Sequence, residues 1–240
     1  MEKSCQLAAE TLQYTGKHVR AGISTDELDR IAEDFIRSHD AIPACLNYFG
    51  YPKTICTSVN NVICHGVPDA QVLKDGDIVN VDVTVLKHGF HGDTSSMFFV
   101  GDISEKARQL SECALGAMQK GISVARVGET TGSIGFAIEK FVSKKGYYVV
   151  REIGGHGIGK IFHEEPFVPS FGKKGKGHPL LKWGTITVEP MVNETNAPIE
   201  EFAIRGSEIT TFVTSDGSLS AQYEHTILIT DGEPQILTLI

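Results

Sequence analysis

The sequence lacks the features that mark a membrane or secreted protein. It contains no unbroken apolar run of the roughly 18 residues that a transmembrane helix needs. Its first residues, MEKSCQLAAETLQ, have an amphipathic pattern that includes two glutamates, unlike the basic and then apolar layout of a secretory signal. We therefore expect a cytoplasmic protein without membrane association.

Paired cysteines and an excess of basic residues are missing as well. The five cysteines are an odd number without the CxxC spacing of a structural zinc site, which favours free thiols in a reducing compartment. The formal net charge of −8 argues against a nucleic-acid partner, which would require a clustered basic face. We interpret the small basic cluster Lys173-Lys174-Gly175-Lys176 as a solvated loop.

What the sequence does contain is typical of a single globular domain over residues 1–240, with 41% hydrophobic and 22% charged residues. Apolar spacing and capping residues predict helices, and β-rich runs predict a hairpin and later strands, an order that indicates an α+β fold. The predicted helices cover about residues 1–17, 24–38, 104–120 and 129–145, the last two ending at Gly121 and Gly146; the hairpin covers 78–85 and 90–100; later strands cover 185–189, 208–213, 223–228 and 235–239; and 41–68 is a loop with one short strand at most.

Acidic residues stand inside several of the β-rich runs. Asp82 lies in VDVTV, Asp93 in HGDTS, Glu189 after ITV, and Glu224 in QYEHTILI. A carboxylate turned toward a core needs a partner. With a turn centred near Lys87-His88, Asp82 and Asp93 would lie about opposite each other on one face of the hairpin, where like charges repel. Because neither strand offers a lysine or arginine on that face, we expect a divalent metal ion such as manganese, iron, cobalt or zinc.

A short internal similarity points to two related halves. LKDGDI, residues 73–78, resembles LKWGTI, residues 181–186, and each leads into a strand that ends at an acidic residue, Asp82 or Glu189. Six residues can also match by chance, so this similarity alone leaves the question open.

The stretch GGHGIGKIFHEEP, residues 154–166, admits a phosphate loop, a metal site or a tight turn. A dinucleotide-binding loop has another glycine spacing and opens a helix, and no helix can continue here before Pro166. The glycines also disfavour a helix that would carry His156 and His163 on one face. They would instead allow close backbone approach and leave both histidines free to point at a shared site. His65, taken alone, is more typical of a buried loop histidine.

The chain resembles the type I methionine aminopeptidases over essentially its whole length. The resemblance rests on six motifs in the family's order: CHGVPD, LKDGDIVNVDVTV, GFHGDTS, GGHGIGKIFHEEP, VEPMVN and SLSAQYEHT. It implies the pita-bread fold, a curved antiparallel sheet covered by helices, with halves of about residues 1–120 and 121–240 related by a pseudo-twofold axis.

The same resemblance implies roles for particular residues. Glu189 would take the proton from the attacking metal-bound water. His163 would polarise the scissile carbonyl, and His65 would contact the substrate backbone or assist the leaving amine. Asp93 and Glu224 would bridge two divalent metal ions (cobalt, manganese, iron or zinc). The full ligand set would be Asp82, Asp93, His156, Glu189 and Glu224.

Further positions match two other sites of the family, a monovalent-cation site and the substrate pocket. The residues that match the monovalent-cation site are Asn60, Val62 and Ser220. Phe49 stands where a histidine is common, and Thr210 where a tryptophan is often found, so both put the shape of the pocket in question. The soft and aromatic side chains that would surround a methionine thioether are Cys45, Tyr48, Tyr51, Cys56 and Phe162.

The resemblance thus implies an enzyme that removes the initiator methionine from nascent chains with a small second residue, by attack of a metal-bound hydroxide. We expect a monomer that meets nascent polypeptide N-termini near the ribosome. The alternatives are a related aminopeptidase or prolidase of the same fold, and a non-catalytic peptide-binding member. A prolidase usually has an extra N-terminal domain, and a non-catalytic member usually lacks metal ligands, all of which this sequence retains.

Overall fold

Helices and antiparallel strands alternate in blocks along the chain, and the structure, a computed structural model, describes residues 1–239. The helices are α1 (Glu2–Gly16), α2 (Thr25–Ser38), α3 (Glu105–Ile122) and α4 (Thr131–Lys144). The strands are β1 (Ile42–Pro43), β2 (Cys56–Val59), β3 (Val62–Cys64), β4 (Ile78–Lys87), β5 (Phe90–Phe99), β6 (Tyr148–Val149), β7 (Gly155–Gly157), β8 (Glu164–Val168), β9 (Thr185–Val188), β10 (Met191–Asn193), β11 (Ile199–Ala203), β12 (Thr210–Thr214), β13 (Ser220–Gln222), β14 (Glu224–Leu228) and β15 (Gln235–Ile236). The predicted α+β class is confirmed.

The helices begin at the capping residues that the sequence offers. The Ser24 hydroxyl accepts from the Glu27 amide at 3.2 Å, and the Ser104 hydroxyl accepts from the Ala107 amide at 3.1 Å. Gly146 follows α4 with φ +81°, as predicted for a left-handed cap. The same prediction for Gly121 is wrong, because α3 continues to Ile122; a Cβ at Gly121 would lie 2.8 Å from Ile138 on α4, so this glycine lets the two helices pack closely.

The strands form three sheets whose pairings among residues 1–239 are all antiparallel. The largest has the order β1-β4-β5-β14-β9-β7-β8, with β2 paired to β4 and β15 to β14. Two small sheets have the orders β13-β10-β6 and β11-β12-β3. The prediction of a loop with at most one strand for residues 41–68 is wrong, since β1, β2 and β3 lie there. Each of these strands is stabilised by a partner distant in sequence, which local patterns do not reveal.

The β4–β5 hairpin closes through His88 and Gly89, which have φ values of 53° and 78°, as a two-residue type I′ turn requires. This turn lies one residue later than predicted. Asp93 therefore pairs with Thr84, and Asp82 pairs with Ser95. The predicted common face is confirmed, but the two carboxylates are diagonal neighbours on it rather than directly opposite.

The alternation of side chains along β4 separates the core from the functional face. Val79, Val81, Val83 and Val85 belong to one buried cluster with the apolar residues of α1 and α2, while the residues between them point to the other side of the sheet. A second buried cluster joins α3 and α4 to β9 and β14. Because the helices pack on one face, the opposite face is left to polar side chains.

The two halves of the chain make matching hydrogen bonds beside the repeated motif. The Val100 amide donates to Asp77 O at 2.9 Å, and the Ile229 amide donates to Gly184 O at 2.9 Å. Asp82 and Glu189 each lie five residues after these acceptors. Asp77 is the fifth residue of its motif and Gly184 is the fourth, so the hydrogen-bonded positions are offset by one residue from the sequence match, and the relation between the two halves stays a prediction.

Candidate metal centre and active site

Four carboxylates meet on the polar face of the central sheet. Asp82 lies on β4, Asp93 on β5, Glu189 directly after β9, and Glu224 at the start of β14. All four line one cavity of about 370 Å³. Asp93, Glu224 and His156 each offer a ligand atom within 4.8 Å of the others. The structure thus brings together the residues that the sequence singles out as metal ligands.

His156 reaches this group from β7, between two glycines. A Cβ at Gly155 would lie 2.4 Å from Thr187 O, so the glycine allows β7 to lie close to β9. The His156 Nδ1 atom lies 3.0 Å from Gly157 O, and because a carbonyl only accepts, Nδ1 carries the proton. The Nε2 lone pair then faces Asp93 Oδ2 at 3.7 Å and Glu189 Oε1 at 3.6 Å.

The electrostatics of this group fit a divalent cation. Burial raises the pKa of Asp82 to about 7 and that of Glu189 to about 8. Burial, and then the neighbouring carboxylates, hold the pKa values of Asp93 and Glu224 well above their usual range. Glu224 Oε1 is buried and has no hydrogen-bond partner among the described residues. The carboxylate oxygens and the imidazole lone pair face one another with no hydrogen-bond donor between them. A bound metal ion would coordinate these atoms and neutralise their charge.

Hydrogen bonds from the sheet orient the carboxylates. The Thr187 hydroxyl donates to Glu189 Oε1 at 2.8 Å, and Gln222 Nε2 donates to Glu189 Oε2 at 3.2 Å. The Thr84 hydroxyl donates to Asp93 Oδ1 at 2.8 Å. Sequence reasoning missed all three supporting residues. For Thr187 a signal existed, since it precedes Glu189 by two residues and therefore shares its face of the strand.

His163 lies at the exposed mouth of the cavity. Its Nδ1 atom is 2.8 Å from the Tyr48 hydroxyl, and its ring stacks on Phe162 with centroids 4.1 Å apart. The His156 ring lies 4.2 Å away, so the two histidines of the glycine-rich stretch converge on one space. Desolvation, and then the other imidazoles of the cleft, lower the pKa of His163. The ring is therefore neutral near pH 7.

His65, directly after β3, also lines the cavity. It has φ 54°, and its Nδ1 atom lies 3.1 Å from Thr210 O, so Nδ1 donates and Nε2 keeps a lone pair. Burial lowers the pKa of His65. Taken alone, its sequence context is typical of a satisfied loop histidine, and one nitrogen is indeed satisfied in this way; the other is left for the cavity.

The predicted methionine pocket forms the apolar wall of the same cavity. Tyr51 is 3% exposed, and its hydroxyl donates to Gly66 O at 3.0 Å, which fixes the ring. Phe49 lies at the rim and is 55% exposed. Thr210 is not on the wall, although its neighbour Ile209 is. Gly154, the first residue of the glycine-rich stretch, also lines the cavity, as do Ile153 and Ile209, which the sequence did not indicate. The wall contains every predicted pocket residue, namely Cys45, Tyr48, Tyr51, Cys56 and Phe162.

The three residues that match a monovalent-cation site lie outside the residues lining this cavity. Asn60 connects β2 to β3, Val62 begins β3, and Ser220 begins β13. The Asn60 carbonyl accepts from the Ser220 amide at 2.9 Å, while its side-chain amide donates to Asp77 at 2.8 Å. Asn60 and Ser220 are thus in contact, and a bound cation at this place stays a prediction.

Sequence comparison assigns the class of protein. Residues 1–231 match metallopeptidase family M24, and the chain belongs to this family. The methionine aminopeptidase of Rickettsia prowazekii is 46% identical over 239 residues, covering 100% of this chain and 91% of the relative. That of Escherichia coli K12 is 47% identical over 241 residues, covering 100% and 90%. Membership of a metallopeptidase family also supports the use of a divalent metal.

Solved structures agree with the sequence relatives. The crystal structure of the Rickettsia prowazekii methionine aminopeptidase has a TM-score of 0.96 and covers 99% of this chain and 95% of that one. A methionine aminopeptidase from Thermotoga maritima has a TM-score of 0.94 at 33% identity, covering 100% and 95%. A prolidase from Pyrococcus horikoshii, with a TM-score of 0.75 at 22% identity, shares the fold over 60% of its length. The predicted pita-bread fold is confirmed. No helix within residues 1–239 is both long and apolar enough to cross a bilayer.

Proposed function

We propose that this chain is a methionine aminopeptidase that releases the N-terminal methionine from peptides with a small second residue. One observation carries the proposal: a single cavity has a floor of four carboxylates and an imidazole and a wall of thiols and aromatic rings. The floor suits metal-assisted hydrolysis, and the wall suits a thioether side chain. The full-length relatives named methionine aminopeptidase support the same activity.

The floor would hold two divalent ions, manganese, iron, cobalt or zinc. Asp93 and Glu224, whose carboxyl groups lie between the others along the strand order β4-β5-β14-β9, would bridge them. When bound, the ions supply Lewis acidity and lower the pKa of a coordinated water. The five ligands would be Asp82, Asp93, His156, Glu189 and Glu224.

Glu189 is the residue suited to move protons. Both of its oxygens are held, one by Thr187 and one by Gln222, so its orientation is fixed before substrate arrives. Burial raises the pKa of Glu189 to about 8, which favours a carboxyl group that takes up a proton more readily than an exposed one. Glu189 would accept the proton of the attacking water and deliver it to the departing amine.

His163 and His65 present opposite hydrogen-bonding states to the substrate. A Tyr48 hydroxyl that donates to His163 Nδ1 leaves the proton on Nε2, which can then donate to the scissile carbonyl oxygen as negative charge develops. His65, protonated on Nδ1 toward Thr210 O, has an acceptor at Nε2 and can receive an N–H of the peptide beyond the cleaved bond. The two rings would thus recognise the two ends of one peptide group.

Cleavage of paired peptides tests the proposal. Metal-loaded protein should release methionine from Met-Ala-Ser, and much more slowly from Met-Lys-Ser, because a cramped site beyond the scissile bond, as proposed here, would restrict the second side chain. Equal release from both peptides would contradict the proposed selectivity. Release from neither, together with hydrolysis of Ala-Pro, would instead favour the prolidase alternative. Asp93→Asn protein, which keeps the shape of the cleft, is the control for metal-dependent turnover.

The physiological setting follows from this substrate. We expect a cytoplasmic monomer that acts on nascent polypeptide N-termini near the ribosome. Depletion of the protein from growing cells should leave the initiator methionine on newly made proteins whose second residue is alanine or serine, as measured by mass spectrometry of their N-terminal peptides.

A further inference from the structure

A groove between α3 and α4 concentrates positive charge in a chain whose formal net charge is −8. The groove has a volume of about 420 Å³ and shares no lining residue with the catalytic cavity. Glu129 is the single acidic residue among those that line it. The basic residues of its lining, all exposed, are Lys120, Arg126, Lys140, Lys144 and Lys174.

The loop that supplies Lys174 is fixed against α4. The Gly132 amide donates to Lys176 O at 3.0 Å, and the Gly175 amide donates to the Ser133 hydroxyl at 3.0 Å. A Cβ at Gly132 would lie 2.4 Å from Lys176 O, so this contact depends on the glycine. The basic cluster at residues 173–176, interpreted from the sequence as a solvated loop, is exposed but anchored to the first turn of a helix.

These cations are not neutralised by the protein itself. Within residues 1–239, none of the five lining cations lies within 4.0 Å of a carboxylate oxygen. Elsewhere on the surface such pairs do form, for example Lys53 with Asp26 and Arg151 with Glu139. Five clustered positive charges beside one carboxylate produce a local field opposite in sign to that of the whole chain.

Aromatic rings accompany the cations. Phe136 lines the groove and is 39% exposed, and Lys140 Nζ lies 5.8 Å from its ring centroid. Phe141 also lines the groove, with Lys145 Nζ 5.4 Å from its centroid. A lining of cations with an accessible ring is the combination that binds a phosphate backbone and stacks an unpaired base.

We propose that this groove is a docking surface for single-stranded RNA. Charge complementarity selects a polyanion, and the exposed ring selects a strand with unpaired bases over a lipid surface. The choice of RNA over DNA rests on the proposed function, since a protein that acts on nascent chains works beside RNA. This proposal departs from the expectation, based on net charge alone, that nucleic acid is no partner.

Fluorescence anisotropy with a labelled uridine 20-mer tests the proposal on the whole chain. Binding should saturate. The logarithm of the association constant should fall with the logarithm of salt concentration with a slope of about −3.5, since each of the five lining cations would contribute ~0.7 by contacting one phosphate. The variant K140E/K144E/K174E should bind at least about 10-fold more weakly. The control variant K3E/K17E/K74E changes three exposed lysines outside the groove by the same charge and should lose much less affinity.

A second variant separates stacking from charge. Phe136→Ala leaves the charge unchanged and suits an exposed helical position, and it should lower RNA affinity several-fold at an unchanged salt slope. Absence of saturable binding at 50 mM salt, or equal losses in the groove and control variants, would overturn the proposal. So would stronger binding to anionic vesicles than to RNA, and equal affinity for a deoxythymidine 20-mer would overturn the assignment to RNA. Release of methionine from Met-Ala-Ser, measured on the same samples, reports the peptidase separately, so either proposal can fail alone.

Discussion

The floor and the mouth of the catalytic cavity are built in different ways. The floor consists of side chains on β4, β5, β7 and β14 and of Glu189 directly after β9, and the register of these strands is set by backbone hydrogen bonds. Asp93, His156 and Glu224 are buried there. The mouth consists of a 3-10 turn at Tyr48–Gly50 and the segment around His163, which contact each other through side chains. The floor therefore holds groups at fixed separations, while the mouth positions its groups through a few individual contacts.

The largest expected effect comes from changing the floor. Asp93→Asn removes a charged ligand while keeping its size, and turnover of Met-Ala-Ser should fall on the order of 1000-fold. Manganese should raise the melting temperature of the unaltered protein, because a ligand at 100 times its Kd stabilises by about 2.7 kcal/mol. The variant should show little of this increase in a thermal scan. An equal increase in both proteins would show that Asp93 is not a ligand.

A smaller effect is expected at the mouth. His163→Ala should lower kcat about 100-fold, because one donor to the developing oxyanion is lost. The floor is untouched, so manganese should raise the melting temperature as much as in the unaltered protein. Tyr48→Phe removes only the hydroxyl that orients the ring and should lower kcat less than His163→Ala does. Loss of the metal-dependent stabilisation in either variant would contradict the separation of floor and mouth.

Thr187 connects two floor residues and tests how they are oriented. Its hydroxyl donates to Glu189 at 2.8 Å and accepts from the His156 amide at 3.0 Å. Thr187→Val leaves both groups without this partner, so kcat should fall about 10-fold and the free energy of unfolding by about 1–3 kcal/mol. Thr187→Ser keeps the hydroxyl and should restore kcat. If both variants lose activity equally, packing rather than the hydrogen bonds explains the loss.

The floor was more accessible to sequence reasoning than the mouth. Period-two patterning placed Asp82 and Asp93 on one face of a hairpin, since such alternation is a local property of a strand. Their exact pairing was wrong because the register depends on which two residues form the turn. The hydrogen bond between His163 and Tyr48 could not be predicted from the sequence, because 115 positions separate the two residues and neither lies in a long helix or strand.

The same limit applies to the helices. Gly121 has the sequence position of a helix cap, yet it is buried between α3 and α4. A glycine near a predicted helix end can either terminate the helix or allow another element to pack closely against it. Only the identity of the residue that packs against the glycine distinguishes these two roles. Ile138, the nearest neighbour of Gly121, belongs to the next helix, so the contact that decides the case is absent from the local pattern.

The smallest effect on activity is expected from a change at Asp29, which lies behind the apolar wall of the cavity. Asp29 on α2 anchors the segment that leads to Cys56. Asp29 Oδ1 accepts from the Thr54 and Ile55 amides at 2.8 and 3.0 Å, and burial raises the pKa of Asp29 to about 6. The pKa of Asp29 is higher in the folded protein than in the unfolded chain. At a pH between the two pKa values, folding is therefore accompanied by uptake of a proton. The contribution of Asp29 to the free energy of unfolding therefore falls as pH rises toward 6 and is constant above it.

Asp29→Asn keeps an Oδ1 acceptor for both amides but cannot ionise. The free energy of unfolding of the unaltered protein minus that of the variant, measured by urea titration, should fall by about 2 kcal/mol between pH 4.5 and 7. Asp34→Asn, an exposed substitution on the same helix, is the matched control and should give a difference that changes little with pH. Methionine release at pH 7 should be unchanged in both variants. A pH-independent difference for Asp29→Asn would mean that the carboxylate is already ionised in the folded protein, in which case the two amide donors outweigh the burial of the charge.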